Sequence, residues 1–259
     1  MRRLEGKVAL ISGTARGLGK AAALRFAAEG ALVIGGDLLH DEALETQREI
    51  GREGGTALTA GPLDVTRPES VEAWVGEAAE AFGGVDIVLT NAGSVRFDPL
   101  FEQSYDDYAS PVRSELDSVW LTARAAWPHL TRSRGCIVTI GSTAGISGSL
   151  TNHRTAHSAA KGGVIALTRQ LAAEGAAHGV RANCVSPGLI DTEGSRGNLL
   201  ADSHPMRDTA QHVPLGRLGT PQDVAKAAVF LASEDASYVS GAHLVVDGGW
   251  SVVLPGPLT

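Results

Sequence analysis

A single doubly wound α/β domain, built on a seven-stranded parallel sheet with helices on both faces, is the fold this sequence predicts. Three observations carry that expectation. Short β-rich apolar runs alternate with helical stretches along all 259 residues. A Gly-rich turn directly follows the first run. No Pro/Gly/Ser linker marks a boundary between one part of the chain and another. A chain of this length, 43% hydrophobic and 20% charged, has enough apolar side chain for one large core, so residues 1–259 read as one domain.

The candidate strands are VALIS (8–12), ALVIGG (31–36), TALTAG (56–61), VDIVLT (85–90), GCIVTIG (135–141), VRANCVS (180–186) and AHLVVD (242–247). They are apolar almost without interruption, as strands buried under helices on both sides must be. Helical stretches are expected at about 17–29, 41–53, 68–81, 105–133, 157–177 and 221–233. Pro68-Glu69-Ser70 and Thr220-Pro221-Gln222-Asp223 supply the start signals of two of them. The piece from 189 to 216 carries Gly194, Gly197, Pro205 and Pro214, has weak periodicity and is long for a connection, which predicts a substrate lid.

A net charge of −7 and an isoelectric point near 5.6, with no clustered Lys and Arg, argue against a nucleic-acid partner. Cys136 and Cys184 lie in apolar runs, as buried reduced thiols do in a reducing cytosol. The opening apolar run breaks at Glu5, Gly6 and Lys7, and no stretch is long and apolar enough to span a bilayer. The expectation is a cytoplasmic protein with no membrane partner.

The chemistry begins at SGTARGLG, Ser12 to Gly19, between the first strand and a helical run. Gly13, Gly17 and Gly19 permit a tight turn, close approach of a ligand and close helix–strand packing. The N–H groups that open the following helix suit a pyrophosphate. The spacing is G-x-x-x-G-x-G rather than G-x-G-x-x-G, so a plain turn remains the competing reading. Asp37, at the end of ALVIGGD, tips the balance: a carboxylate there accepts from an adenosine ribose and repels a 2′-phosphate, favouring NAD. Arg16, within the loop, argues the other way.

These landmarks come in a fixed order with LDV (63–65), NAG (91–93), GST (141–143), Lys161, N…SPG (183–188) and VDGG (246–249), and together they resemble a short-chain dehydrogenase/reductase from about Leu4 to Gly249. The resemblance implies a Rossmann-like single domain, a nicotinamide cofactor and a homo-tetramer or dimer paired through the helices at 105–133 and after His157. It implies that Leu18 belongs to the phosphate loop, that Asp64 and Val65 flank the adenine, and that Asn91, Ala92 and Gly93 line the cofactor. Pro187, Gly188, Ile190 and Thr192 would hold the nicotinamide end. Ser142 matches the hydroxyl that polarises the substrate carbonyl. Lys161 matches the lysine that binds the nicotinamide ribose.

Two positions depart from the family pattern. Its tyrosine is His157 here, 15 residues after Ser142, and its helical asparagine falls on Glu115. The tyrosines present, Tyr105, Tyr108 and Tyr238, are remote in sequence from Lys161. On a helix His157 and Lys161 share a face. A free tyrosine titrates near ~10 and a histidine near ~6.5, and neutral imidazole is a base and a poor acid. The substitution therefore predicts an NAD-dependent oxidation of a secondary alcohol with His157 as proton carrier, directly or through a water. Glu115 is expected either to accept a hydrogen bond from Lys161 or a water in the pocket, or to sit on a solvated face. The Leu-rich lid suggests an apolar alcohol or ketone. Two other readings stay open: a metal site on His153, His157 and Glu115, disfavoured by the missing H-E-x-x-H glutamate, and a redox-silent dinucleotide-binding protein.

Overall fold

The computed structural model describes residues 2–253 other than 198, 202, 203 and 205. Its seven strands are β1 (Val8–Ser12), β2 (Leu32–Gly36), β3 (Thr56–Leu58), β4 (Ile87–Thr90), β5 (Cys136–Ile140), β6 (Arg181–Pro187) and β7 (His243–Val246). All pair in parallel in the order β3-β2-β1-β4-β5-β6-β7, so the chain reverses its direction of winding between β1 and β4. In such a sheet the crevice at the carboxyl ends of the strands flanking that reversal is where ligands bind. The register fixes those ends: Ser12 pairs with Gly36, Leu89 with Val138, and Ile140 with Val185.

The helices are α1 (Gly17–Ala28), α2 (His40–Arg52), α3 (Pro68–Phe82), α4 (Tyr105–Val112), α5 (Ser118–Ser133), α6 (Thr155–Gly175), α7 (Glu193–Arg196) and α8 (Pro221–Ala232). One core lies on the face covered by α1 and α8, around Phe26, Ile11, Leu89 and Val229. The other lies under α3 and α5, around Leu10, Trp74, Leu130 and Ile137. Alternate residues of β1 therefore serve opposite cores, Leu10 one and Ile11 the other, as a strand covered on both faces requires.

The expected helix starts divide. Thr220 caps α8 in a reciprocal box with Asp223, and Pro221 occupies the first turn. At α3, Pro68 opens the helix, but no side chain caps it; the Ser70 hydroxyl instead accepts from the Asp64 N–H. β3 ends at Leu58 rather than at Gly61. The expected unbroken helix 105–133 is interrupted: α4 runs into a π-helical turn, Arg113–Asp117, before α5 begins. Pro111, which has no N–H to give an i→i−4 bond, stands just ahead of that wide turn.

The lid segment is partly ordered by α7, by a short 3-10 turn at Thr209–His212, and by a bridge from Ile190 to Gly219. Pro205 within it, and the closing residues 254–259, lie outside the described residues. Both cysteines are free and buried, and burial pushes the Cys136 thiol up to about 11. Among the described residues no helix is long and apolar enough to cross a membrane.

Candidate active site

A cavity of about 400 Å³ opens at the carboxyl ends of β1, β4, β5 and β6. Arg16, Gly17 and Leu18 form one part of its wall, where the chain passes from β1 into α1. Gly17 adopts φ +58, and a Cβ there would meet nothing nearer than the Thr192 side chain at 3.9 Å, so backbone is presented to open space. No side chain caps α1, which leaves its first N–H groups available to a ligand.

Gly13 and Gly19 have a different task. A Cβ on Gly19 would come within 1.9 Å of the Gly13 carbonyl, and on either glycine it would collide with the Asn91 amide. The Asn91 side chain donates to the carbonyls of Ser12 and Gly13, and the Ser12 hydroxyl accepts from the N–H groups of Asn91 and Ala92. The loop is thereby tied to the end of β4, with Asn91 and Gly93 reaching the cavity wall.

Asp37 stands at the end of β2 with its carboxylate fixed, accepting from the Ala15 and Leu39 N–H groups. Asp64 folds onto its own loop, accepting from the N–H and hydroxyl of Thr66, beside the buried Val65. On the far side Pro187, Gly188, Ile190 and Thr192 line the cavity, and Thr192 also caps α7. The residues at the β3 end, like Asp37, lie outside the cavity proper; those at the β6 end belong to it.

The expected reactive residues meet in this cavity. Glu115 projects from the π-helical turn, is 3% exposed, and accepts from the His157 ring: Nδ1 lies 2.8 Å from Oε2 and 3.0 Å from Oε1. A carboxylate only accepts, so the proton of the neutral ring sits on Nδ1. Nε2 has no partner among the described residues and faces the cavity that His157 lines. Lys161, one turn along α6, donates to the Ile140 carbonyl at 2.9 Å and stands 3.7 Å from Glu115 Oε1. Ser142 accepts from the Ala144 N–H at 3.0 Å, which leaves its own O–H free to donate.

Of the two expectations for Glu115 the pocket position holds, with a different hydrogen-bond donor. The carboxylate is not on a solvated face, and its hydrogen-bond donor is the imidazole, Lys161 being held at ion-pair distance by its bond to β5. Space for the carboxylate comes from Gly93, where a Cβ would press on Glu115 Cγ at 3.0 Å. A metal reading gains nothing: among the described residues no three of His, Cys, Asp and Glu converge as ligands, and His153 is exposed.

The comparisons with known proteins agree on one family. The model described as enoyl-(acyl carrier protein) reductase matches residues 13–251. The chain is 38% identical to the 3-oxoacyl-(acyl-carrier-protein) reductase FabG of Vibrio cholerae, over 96% of this chain and 99% of that one. It is 36% identical to the meso-2,3-butanediol dehydrogenase of Serratia marcescens, over 95% of each. A solved short-chain type dehydrogenase/reductase from Mycobacterium marinum superposes with a TM-score of 0.90 at 33% identity, covering 96% of this chain and 97% of that one. The chain belongs to the short-chain dehydrogenase/reductase family. It is an oxidoreductase on a Rossmann-like sheet, as its sequence predicts.

Several cavity residues are not singled out by the sequence, although Met206 lies within the expected lid segment 189–216. Phe97 stands edge-on to His157 with ring centroids 6.1 Å apart. Asn152, Arg154, Met206 and Trp250 also line the cavity. None carries a periodicity or a motif; the available signal was position, Asn152 and Arg154 lying just ahead of His157 and Trp250 following VDGG.

Proposed function

We propose that the protein is an NAD-dependent dehydrogenase that oxidises a secondary alcohol to a ketone, with His157 in the family tyrosine's place as proton carrier. The observation that carries this reading is the Glu115 carboxylate on Nδ1 of His157. It fixes the tautomer and ring orientation, and it leaves Nε2 as the proton acceptor toward the cavity.

The residues around the cavity fit a dinucleotide. The uncapped start of α1 and the open space at Gly17 suit a pyrophosphate. Asp37 retains lone pairs for a ribose and opposes a 2′-phosphate, which favours NAD. Asp64 and Val65 would stand at the adenine, Asn91, Ala92 and Gly93 along the middle, and Pro187, Gly188, Ile190, Thr192 and Lys161 at the nicotinamide end. When bound, the dinucleotide supplies the hydride acceptor.

The chain's own part is positioning and proton transfer. The Ser142 hydroxyl holds the substrate oxygen by donating to it, and His157 Nε2 takes the hydroxyl proton as the C–H bond breaks. The ring then carries a positive charge, which the buried Glu115 carboxylate compensates within hydrogen-bond distance. Glu115 places an anion 2.8 Å from the imidazole and 3.7 Å from the Lys161 ammonium. Lys161, anchored on the Ile140 carbonyl, orients the ribose rather than the proton carrier. We further propose that the enzyme works as a homo-oligomer, consistent with the exposed Trp120 on α5.

The test is the formation of reduced nicotinamide from NAD over a panel of secondary alcohols, with wild type and His157→Ala. Turnover by wild type, lost in the variant while NADH binding is kept, is the expected result. NADH binding by both without turnover by either would favour the redox-silent reading.

A further inference from the structure

The wall that carries Ser142 and His157 holds two polar side chains that the proton relay leaves unused. Asn152 is 5% exposed and lines the cavity; its backbone N–H donates to Ser149 Oγ, and its carboxamide makes no hydrogen bond among the described residues. Arg154 lines the same cavity. Its Nη2 donates to the carbonyl and the hydroxyl of Ser147 at 3.1 and 3.4 Å, and its Nε is buried without a partner. No carboxylate among the described residues pairs with it. Of the acidic groups facing the cavity, Glu115 is taken by His157 and Lys161, and Glu193 makes no ion pair.

An unpaired, half-buried guanidinium costs free energy that an anion would offset. Burial holds Arg154 below its usual value, for want of a counter-charge. The first turn of α6 begins at Thr155 with no side-chain cap, adding N–H groups and the positive end of a helix next to that guanidinium. Phe97, Val95, Leu189 and Met206 supply apolar wall for a short carbon skeleton. Polar residues on the reacting wall disagree with the wholly apolar substrate that the Leu-rich lid suggests.

We propose that Asn152 and Arg154 form an anion subsite, and that the substrate is a short hydroxy acid whose carboxylate they bind while its hydroxyl reacts at Ser142 and His157. The proposal rests on the dehydrogenase reading above and adds the substrate class to it. In the reaction the carbinol C–H bond breaks and its hydride goes to NAD. The O–H proton goes to His157 and then to solvent, so that hydroxy acid and NAD yield oxo acid, NADH and a proton.

Two measurements test it, one of them independent of turnover. With the NADH-bound protein, calorimetric titration with propionate and with its neutral counterpart propionamide should give tighter binding of the anion. Arg154→Gln should abolish that preference, and Arg154→Lys should restore part of it, because a lysine keeps the charge and loses the fork. Propionate bound no better than propionamide, or bound equally by R154Q, overturns the subsite. In turnover, kcat/KM for short hydroxy acids should exceed that for their methyl esters by about 10- to 100-fold. R154Q should remove that advantage, acting mainly through the KM of the acids. Acids and esters oxidised equally well overturn it too. Arg154-dependent propionate binding with no oxidation of any hydroxy acid upholds the subsite and sinks the dehydrogenase reading instead. Unchanged melting temperatures of the variants confirm that the fold is intact.

Discussion

Both oxygens of Glu115 lie within hydrogen-bond distance of Nδ1 of His157, at 3.0 and 2.8 Å, in a site where the carboxylate is 3% exposed. A buried carboxylate with one imidazole donor and one ammonium neighbour is placed by its partners, and the partners are placed by it. Glu115→Gln keeps the shape but lets the amide donate as well as accept, so the ring is no longer held in one tautomer. If His157 carries the proton, kcat should fall about 10²- to 10⁴-fold in E115Q and in H157A alike, and the double variant should be little worse than either. Steady-state kinetics on the four proteins decide it; additive losses would mean that the two residues act separately.

The same pairing predicts the outcome of placing a tyrosine at position 157. His157→Tyr alone sets a phenol against a buried carboxylate that has lost its imidazole donor and keeps only Lys161 at 3.7 Å. Combined with Glu115→Asn, the change removes the uncompensated anion. The double variant should therefore be the more active and the more stable of the two. A single variant that outperforms the double one would contradict the coupling of the two residues.

Gly93 offers a perturbation that touches neither partner chemically. A methyl group there would press on Glu115 Cγ at 3.0 Å and approach Oε1 at 3.6 Å. If Glu115 positions the proton carrier, Gly93→Ala should lower kcat by about tenfold or more through displacement of the carboxylate, with smaller effects on thermal stability, since modest misplacement of a positioning group is costly to rate. Kinetics together with a melting curve separate the two effects.

In the proposed cofactor assignment Asp37 stands at the dinucleotide end. Its carboxylate is anchored by the Ala15 and Leu39 N–H groups, so Asp37→Ser removes a negative charge and two acceptors together. The NAD/NADP ratio of kcat/KM should drop by about tenfold or more, with Arg16 then able to favour a 2′-phosphate. Stability should also fall by about 1–2 kcal/mol, because two backbone donors lose their partner. Ratios measured on both cofactors provide the check.

How much of this was legible beforehand follows from the range of the forces involved. Strand and helix positions were readable to within a few residues because burial on both faces writes itself locally, as in VALIS and CIVTI. The π-helical turn at Arg113–Asp117 was not, since its residues carry the same helical pattern as their neighbours. Glu115 was ambiguous because a single charged residue on a helix reads equally well as surface or site. What buries it is the missing side chain of Gly93 and the ring of His157, both far away in sequence. Asn152 and Arg154 sit in a loop without periodicity, where only the cavity reveals that they share its lining with Ser142 and His157. Family motifs marked the glycine loop between β1 and α1, but they were silent about the residues that distinguish this chain.

Glu29 provides a prediction about stability rather than rate. It closes the turn after α1, buried, accepting from the Arg3 backbone N–H at 3.1 Å and the Arg3 guanidinium at 2.8 Å, with Arg25 as a second ion-pair partner. The Arg3 hydrogen bond is the chief cause that lowers its carboxyl from 4.5 to about 2 in the folded protein, against the opposing cost of burial. A carboxyl whose value is depressed by folding releases its proton more readily in the native state. Its contribution is therefore complete above the unfolded value and is lost as the pH falls from about 4.5 toward 2. Glu29→Gln should destabilise the protein at pH 7 by about 1–3 kcal/mol. The gap between wild type and variant should narrow progressively below pH 4.5. Urea denaturation at a series of pH values measures both, and a gap that stayed constant from neutral pH into the acid range would show that the Arg3 and Arg25 pairs contribute nothing to the native state.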